Sequence, residues 1–120
     1  MKETYMFKLY FYVPEENCEE VKEAVFEAGA GKIGNYTKCS WQTAGTGQFL
    51  PGQDSQPTIG RQGQIERLKE FRVEMVVDQF RAEKVVDALI NAHPYEEPAY
   101  GLIRIFTKKD FEKAQKNLRI

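Results

Sequence analysis

Between Tyr5 and Val13 the side chains alternate with a period of two: Tyr5, Phe7, Leu9, Phe11 and Val13 on one side, Met6, Lys8, Tyr10 and Tyr12 on the other. A helix cannot gather that pattern into one apolar stripe, so the segment reads as a strand with one buried face, and Pro14 ends it. The other face carries two tyrosines and a methionine. Whatever sheet this strand joins therefore has an aromatic reverse side.

The rest of the chain supplies partners for that strand. Asn17 with Glu20 three residues later forms a capping-box pattern, after which Val21, Ala24, Val25 and Ala28 share one helical face. Gly29 and Gly31 close the helix, since glycine enters the left-handed region without steric cost. A second strand reads over 35–44, with Cys39 and Trp41 inward and Lys38, Ser40 and Gln42 outward. A third, over 68–78, turns Phe71, Val73, Met75 and Val77 inward. Asp78 then caps a helix over about 80–93 that carries Val85, Val86, Leu89 and Ile90 inward. Pro94 stops it, and Pro98 confines a fourth strand to about 99–106. Thr107 with Asp110 repeats the capping pattern, and Phe111, Ala114 and Leu118 mark a C-terminal helix over 107–120.

The order strand, helix, strand, strand, helix, strand predicts an α+β fold of the ferredoxin-like, split βαβ kind. Two helices cover one face of a four-stranded antiparallel sheet, and a further helix follows. With 120 residues, no internal repeat and no dividing linker, the chain reads as a single domain over 1–120.

Charge narrows the functional classes. Seventeen Lys and Arg balance eighteen Asp and Glu, with no basic block to follow a phosphate backbone, so nucleic acid is excluded as a partner. The N-terminal apolar run is broken by charges and lacks a small-residue cleavage site, and no run is long enough to cross a bilayer. The cytoplasm is the default compartment. Cys18 and Cys39 are too few and too far apart for a disulfide framework or a C-x-x-C motif, and read as idle or buried thiols.

Residues 45–65, GTGQFLPGQDSQPTIGRQGQI, hold five of the nine glycines and two of the five prolines. Hairpin loops usually need only about two to five residues, so this segment is read as a functional loop, extra strand, or both. On the sheet's reverse side, Met6, Tyr10 and Tyr12 are expected to meet Tyr100, Leu102 and Phe106, interleaved with Lys8, Arg72, Glu74 and Arg104. Aromatic residues and arginine together mark protein interfaces, so Tyr10, Tyr12, Tyr100, Leu102 and Arg104 are the candidate contact of a homo-oligomer.

The ordered series GAGKIGNY from Gly29, CSW from Cys39, GTGQF from Gly45, IG from Ile59 and HPYEEPAY from His93 resembles one family. It is similar to the Ngg-interacting-factor-three-like (Nif-three-like) proteins, and within them to a PII/CutA-like domain inserted in the longer bacterial members. The likeness runs over about 6–105. It implies the ferredoxin-like fold already derived, a chain corresponding to that insert alone, and a homotrimer, with a dimer as the other closed arrangement. The two-metal site of the longer relatives lies on flanking domains and needs several histidines. This sequence has one, so no catalytic residue is assigned and the chain is read as no enzyme.

In PII proteins the loop between strands two and three, with the turn before strand four, forms an effector site. By that analogy Gly45, Thr46, Gly47, Gln48, Phe49 and Tyr95 are candidate contacts for a small effector or partner protein.

His93, the single histidine, stands beside Glu96 and Glu97, with Glu15 and Glu16 expected at the same end of the sheet. One reading is a divalent metal ion held by His93, Glu96 and Glu97, the only cofactor the sequence admits. The other is structural: His93 ends a helix as an imidazolium favoured by the helix dipole, and the prolines lock a turn. Three adjacent groups fall short of a four-ligand structural zinc site, and no nucleophile accompanies them, so the structural reading is preferred.

Overall fold

Met6–Pro14 form β1, which lies inside the sheet and pairs antiparallel on both sides. The structure, a computed structural model, describes residues 4–112. After β1 come a single 3-10 turn at Glu15–Asn17, α1 (Cys18–Glu27), β2 (Trp41–Phe49), β3 (Glu66–Asp78), α2 (Gln79–Ala92) and β4 (Tyr100–Ile105). The strand order β2-β3-β1-β4, antiparallel throughout, is the ferredoxin-like α+β arrangement.

Both helices pack on the face formed by Leu9, Phe11 and Val13 of β1 and Val73, Met75 and Val77 of β3. Val21 and Val25 of α1 and Val85 and Leu89 of α2 complete that core, all without solvent exposure. Each such side chain contributes about 1.5–3 kcal/mol relative to leaving it in water. Ile90, expected inward, is 42% exposed. The inward stripe of α2 runs through Ala82, Val85 and Leu89, and Ile90 lies a further 100° round the helix.

The two helix starts differ. Asp78 caps α2 as expected, its carboxylate accepting from the N–H groups of Phe80 (2.9 Å) and Arg81 (3.1 Å). The capping box at Asn17 does not form. The 3-10 turn already holds Asn17 in a helical conformation, so its side chain is not aimed back at the free amides. Helix α1 ends in a Schellman motif, Gly29 N–H to the Phe26 carbonyl and Ala30 N–H to that of Val25, with Gly29 at φ +119°.

The second strand begins later than expected. Ile33 and Tyr36 exchange backbone hydrogen bonds across Gly34 and Asn35, and Lys38 takes a positive φ, so the chain cannot be extended before Ser40. Strand β2 then runs on through the GTGQF sequence, which pairs in regular register from Gly45↔Glu70 to Phe49↔Glu66. The loop is therefore 50–65. The face assignment also reverses: Trp41 pairs with Glu74 on the open side and is 69% exposed, while Gln42 turns toward α1 and accepts from Lys22.

A parallel correction applies to β4. Tyr100 pairs with Phe11, Leu102 with Leu9 and Arg104 with Phe7, which puts all three on the helix-bearing face, at an edge the helices do not fully cover. Arg104 lies over the rings of Tyr5 and Phe106 there. The residues of β4 that share the open face with Met6, Lys8 and Tyr10 are Ile105, Ile103 and Gly101. Pro98 delays the strand by one residue relative to a start at Ala99, but the register set by β1 decides the faces.

After β4, the Thr107 N–H donates to the Asp110 carboxylate (2.7 Å), the second half of the expected capping pattern, and residues 108–112 are helical. Ala114 and Leu118 of the expected C-terminal helix lie outside the described residues.

Candidate functional site

Beyond Glu70, β3 has outrun β1 and pairs only with β2, so the hairpin overhangs the sheet as a two-stranded ribbon. The loop 50–65 folds back from its tip. The Pro51 carbonyl accepts from Gly63 N–H (2.8 Å), the Gln62 amide donates to the Ser55 carbonyl (2.7 Å), and Ser55 Oγ to that of Gly52 (2.6 Å). Opposite stands the turn from α2 to β4. The Gln56 N–H donates to Glu96 Oε2 (2.8 Å) and ties loop to turn.

Between them lies a cleft of about 230 Å³ lined by Tyr12, Gln48, Phe49, Pro51, Ser55, Pro57, Thr58, Ile59, Glu70, Tyr95, Glu96, Glu97 and Ala99. Its floor is a chain of hydrogen bonds. The Tyr95 hydroxyl donates to Glu70 Oε2 (2.6 Å), and the Tyr95 ring meets Phe49 at 5.5 Å and His93 at 5.0 Å between centroids. Burial, then the Glu70 carboxylate, hold the Tyr95 phenol well above the usual tyrosine range. Glu70 itself is only 8% exposed. One glycine of GTGQF gives it room: a Cβ on Gly47 would stand within van der Waals overlap of the Glu70 carboxylate, whereas Gly45 faces open space.

His93 is buried, and both its ring nitrogens are engaged within the chain. Nε2 lies 2.7 Å from the Tyr12 carbonyl, and Nδ1 accepts from the Tyr95 N–H at 3.0 Å. That pairing fixes the neutral tautomer with the proton on Nε2. Desolvation lowers its pKa below the ordinary 6.5, outweighing the opposing pull of the Tyr12 hydrogen bond and the Glu70 charge. The helix-end imidazolium expected from sequence is thus replaced by a neutral ring, because burial at this site outweighs the dipole. Its extended backbone follows from Pro94, which disfavours helical conformation in the preceding residue.

The described geometry does not support the metal reading. His93 has no free lone pair, Glu96 accepts from Gln56, and Glu97 is exposed. No group of three or more His, Cys, Asp or Glu side chains suited to a metal occurs among the described residues. Glu15, expected nearby, pairs instead with Lys69 at 2.5 Å.

Of the residues picked out for a ligand, Gln48, Phe49 and Tyr95 line the cleft, Gly47 lies under Glu70, and Gly45 and Thr46 stand outside it. Glu70 and the prolines were missed. The signal available was a pair of glycines two apart in a strand, which marks a close approach by a neighbouring side chain. Cys18 is buried, its thiol pushed up by desolvation, and donates weakly toward Gln42. It is no nucleophile.

No family model matches the chain. Curated relatives do: it is 51% identical over 98 residues to the GTP cyclohydrolase 1 type 2 homolog of Mycobacterium tuberculosis and 45% over 97 residues to that of Halalkalibacterium halodurans. A solved Bacillus cereus protein related to NIF3 superposes with a TM-score of 0.76 at 37% identity, covering 89% of this chain and 27% of that one. The chain is a homologue of one segment of the NIF3-related proteins. It spans about a quarter of the length of the curated relatives, 82% of its own residues matching 26% of the Mycobacterium tuberculosis protein.

A second likeness concerns the fold alone. The periplasmic divalent cation tolerance protein CutA of Archaeoglobus fulgidus superposes with a TM-score of 0.61 at 18% identity, over 92% of this chain and 96% of that protein. The NIF3-related segment is thus built on a CutA-like, ferredoxin-type sheet. Among the described residues no helix is long and apolar enough to cross a membrane.

Proposed function

We propose that this chain is a non-enzymatic, self-associating binding or regulatory module. The open face of its sheet packs against copies of itself, and the cleft receives a small effector or a segment of a partner protein. The observation that carries the reading is the composition of the open face. Tyr10, Tyr12, Ile103 and Ile105 lie there with Lys8, Arg72 and Glu74, and both α1 and α2 pack on the opposite side.

The charges on that face are organised. The Arg72 guanidinium lies 4.6 Å from the Tyr10 ring centroid, donates to the Tyr12 hydroxyl (2.5 Å) and approaches Glu74 (3.6 Å), while Lys8 reaches Glu74 from the other side (3.5 Å). Aromatic anchors together with an arginine are the composition enriched where protein interfaces are buried. Similarity to PII and CutA proteins favours a homotrimer, with a dimer as the other closed form. Tyr12 belongs to both surfaces, since its hydroxyl accepts from Arg72 on the open face and the residue lines the cleft, so occupancy of one is coupled to packing of the other.

The absence of catalysis is part of the proposal. His93 has no nitrogen free to act as a base, and Cys18 is buried. Sedimentation equilibrium at micromolar concentration tests the self-association, and the expected mass is a multiple of 13.9 kDa. Metal-dependent hydrolysis of GTP that survives repurification and disappears with a cleft mutation would overturn the non-enzymatic part.

A further inference from the structure

The cleft has one sign of charge. Glu70, Glu96 and Glu97 line it, and among the described residues no Lys, Arg or His does. Two cations of β3 beside Glu70 are occupied elsewhere: Arg72 by Tyr12 and Glu74, Lys69 by Glu15. Glu70 is more than nine-tenths buried, and only its Oε2 is bonded, to Tyr95. Oε1 has no donor among the described residues, although the carboxylate borders the cleft. No buried side-chain oxygen is left unpaired among the described residues, so Oε1 is reached by solvent and free to accept from a donor that enters the cleft.

The remaining walls are mostly rings and aliphatic groups, among them Tyr12, Phe49 and Tyr95, with Gln48, Ser55 and Thr58 the neutral polar residues. The volume of about 230 Å³ lies below the ~300 Å³ at which drug-sized pockets begin. It suits a group the size of one long side chain and is too small for a nucleotide, whose phosphates would also face three carboxylates.

The geometry points to a ligand that presents a guanidinium on an apolar stem, the cation set against Glu70 and the stem against the aromatic walls. This rests on the binding-module reading and names the chemistry of its cleft. A guanidinium fits better than an ammonium because it is weakly hydrated, stacks on aromatic faces, and offers several planar donors to carboxylates on two walls. The source is either an arginine side chain of a partner protein or a free guanidino compound.

Amide chemical shifts of the full chain, titrated with butylguanidinium, its neutral isostere butylurea, an arginine-centred pentapeptide and ATP, test the assignment. Butylguanidinium is expected to move the Gln48, Ser55 and Tyr95 signals and to bind about tenfold or more tighter than butylurea, the difference a charge-assisted hydrogen bond makes. Glu70→Gln retains an acceptor for Tyr95 and is expected to lower that affinity about tenfold. The exposed pair Glu96→Gln with Glu97→Gln, which leaves the core untouched, is expected to lower it about threefold. A pentapeptide that binds tighter than butylguanidinium identifies a protein partner, and equal affinity identifies a free small molecule. Equal binding of butylurea, or affinity unchanged in both variants, overturns the inference. ATP moving the same signals while butylguanidinium does not would overturn it too, yet leave the binding module standing. Self-association is measured separately by sedimentation, so the two readings fail independently.

Discussion

The imidazole of His93 donates through Nε2 to the backbone carbonyl of Tyr12, 2.7 Å away and 81 residues distant in sequence. Its Nδ1 meanwhile accepts from the Tyr95 N–H. One ring thus joins the end of α2, the C-terminal part of β1 and the turn that borders the cleft. His93→Ala leaves a carbonyl and an amide without partners in a buried place. The expected loss is about 2–3 kcal/mol, combining the cavity and the unsatisfied groups, read from urea unfolding. Added zinc or nickel is expected to leave the midpoint of the unmodified protein unchanged, since neither ring nitrogen is available. A metal-dependent rise abolished by His93→Ala would restore the metal reading.

The same burial sets a pH dependence. The folded His93 pKa lies below the ordinary 6.5, chiefly through desolvation. Between the folded and unfolded values the unfolded chain binds more protons, so stability is intact above about 6.5 and declines as pH falls toward the folded pKa. Because the chain has one histidine, the imidazole signal is unambiguous. Unfolding midpoints between about pH 7.5 and about pH 5.5 are expected to fall in the unmodified protein and to flatten in His93→Gln. An imidazole that titrates above 6.5 in the folded state would contradict the assignment.

Tyr95→Phe removes the hydroxyl that serves Glu70. Leaving that carboxylate without its donor is expected to cost about 1–3 kcal/mol. The Tyr95 phenol is held above its ordinary 10.0, by burial first and Glu70 second. Its contribution is therefore complete below about pH 10 and lost as pH rises through the folded value. In an alkaline absorbance titration the variant is expected to show as many tyrosines ionising in the ordinary range as the unmodified protein. A missing step there would show that Tyr95 is not protected.

Two glycines of β2 separate by a simple steric test. Gly47→Ala puts a methyl against the Glu70 carboxylate, at 2.0 Å from Oε1, and breaks its alignment with Tyr95. A loss of about 1–3 kcal/mol follows from such overpacking. Gly45→Ala meets nothing within 4 Å and is expected to be neutral or slightly stabilising. Equal effects at the two positions would remove the case for a close Gly47–Glu70 approach.

Alternation made β1 and the inner half of β3 legible in the sequence, and Asp78 and Pro94 marked the ends of α2, because those signals are local. The edges were not legible. Strand β2 has helix cover on only part of its length, so apolar content does not tell which side faces in, and Trp41 and Gln42 were exchanged. For β4 the faces depend on register against β1, a property of two strands together, and Tyr100, Leu102 and Arg104 fell on the other side. Within the cleft, Phe49, Gln48 and Tyr95 could be picked out by analogy with the effector loops of PII proteins. Glu70 was signalled only indirectly, by the glycines of β2, because its burial arises only when the overhanging hairpin meets the turn after His93.

The self-association claim is tested most directly by small-angle scattering of the unmodified chain beside Tyr10→Asp with Ile103→Asp, with circular dichroism as a check that both fold. The account predicts a forward-scattering mass that is a multiple of 13.9 kDa for the first and a single copy for the second. A single-copy mass for the unmodified chain, or an assembly untouched by two aspartates on the open face, would contradict it.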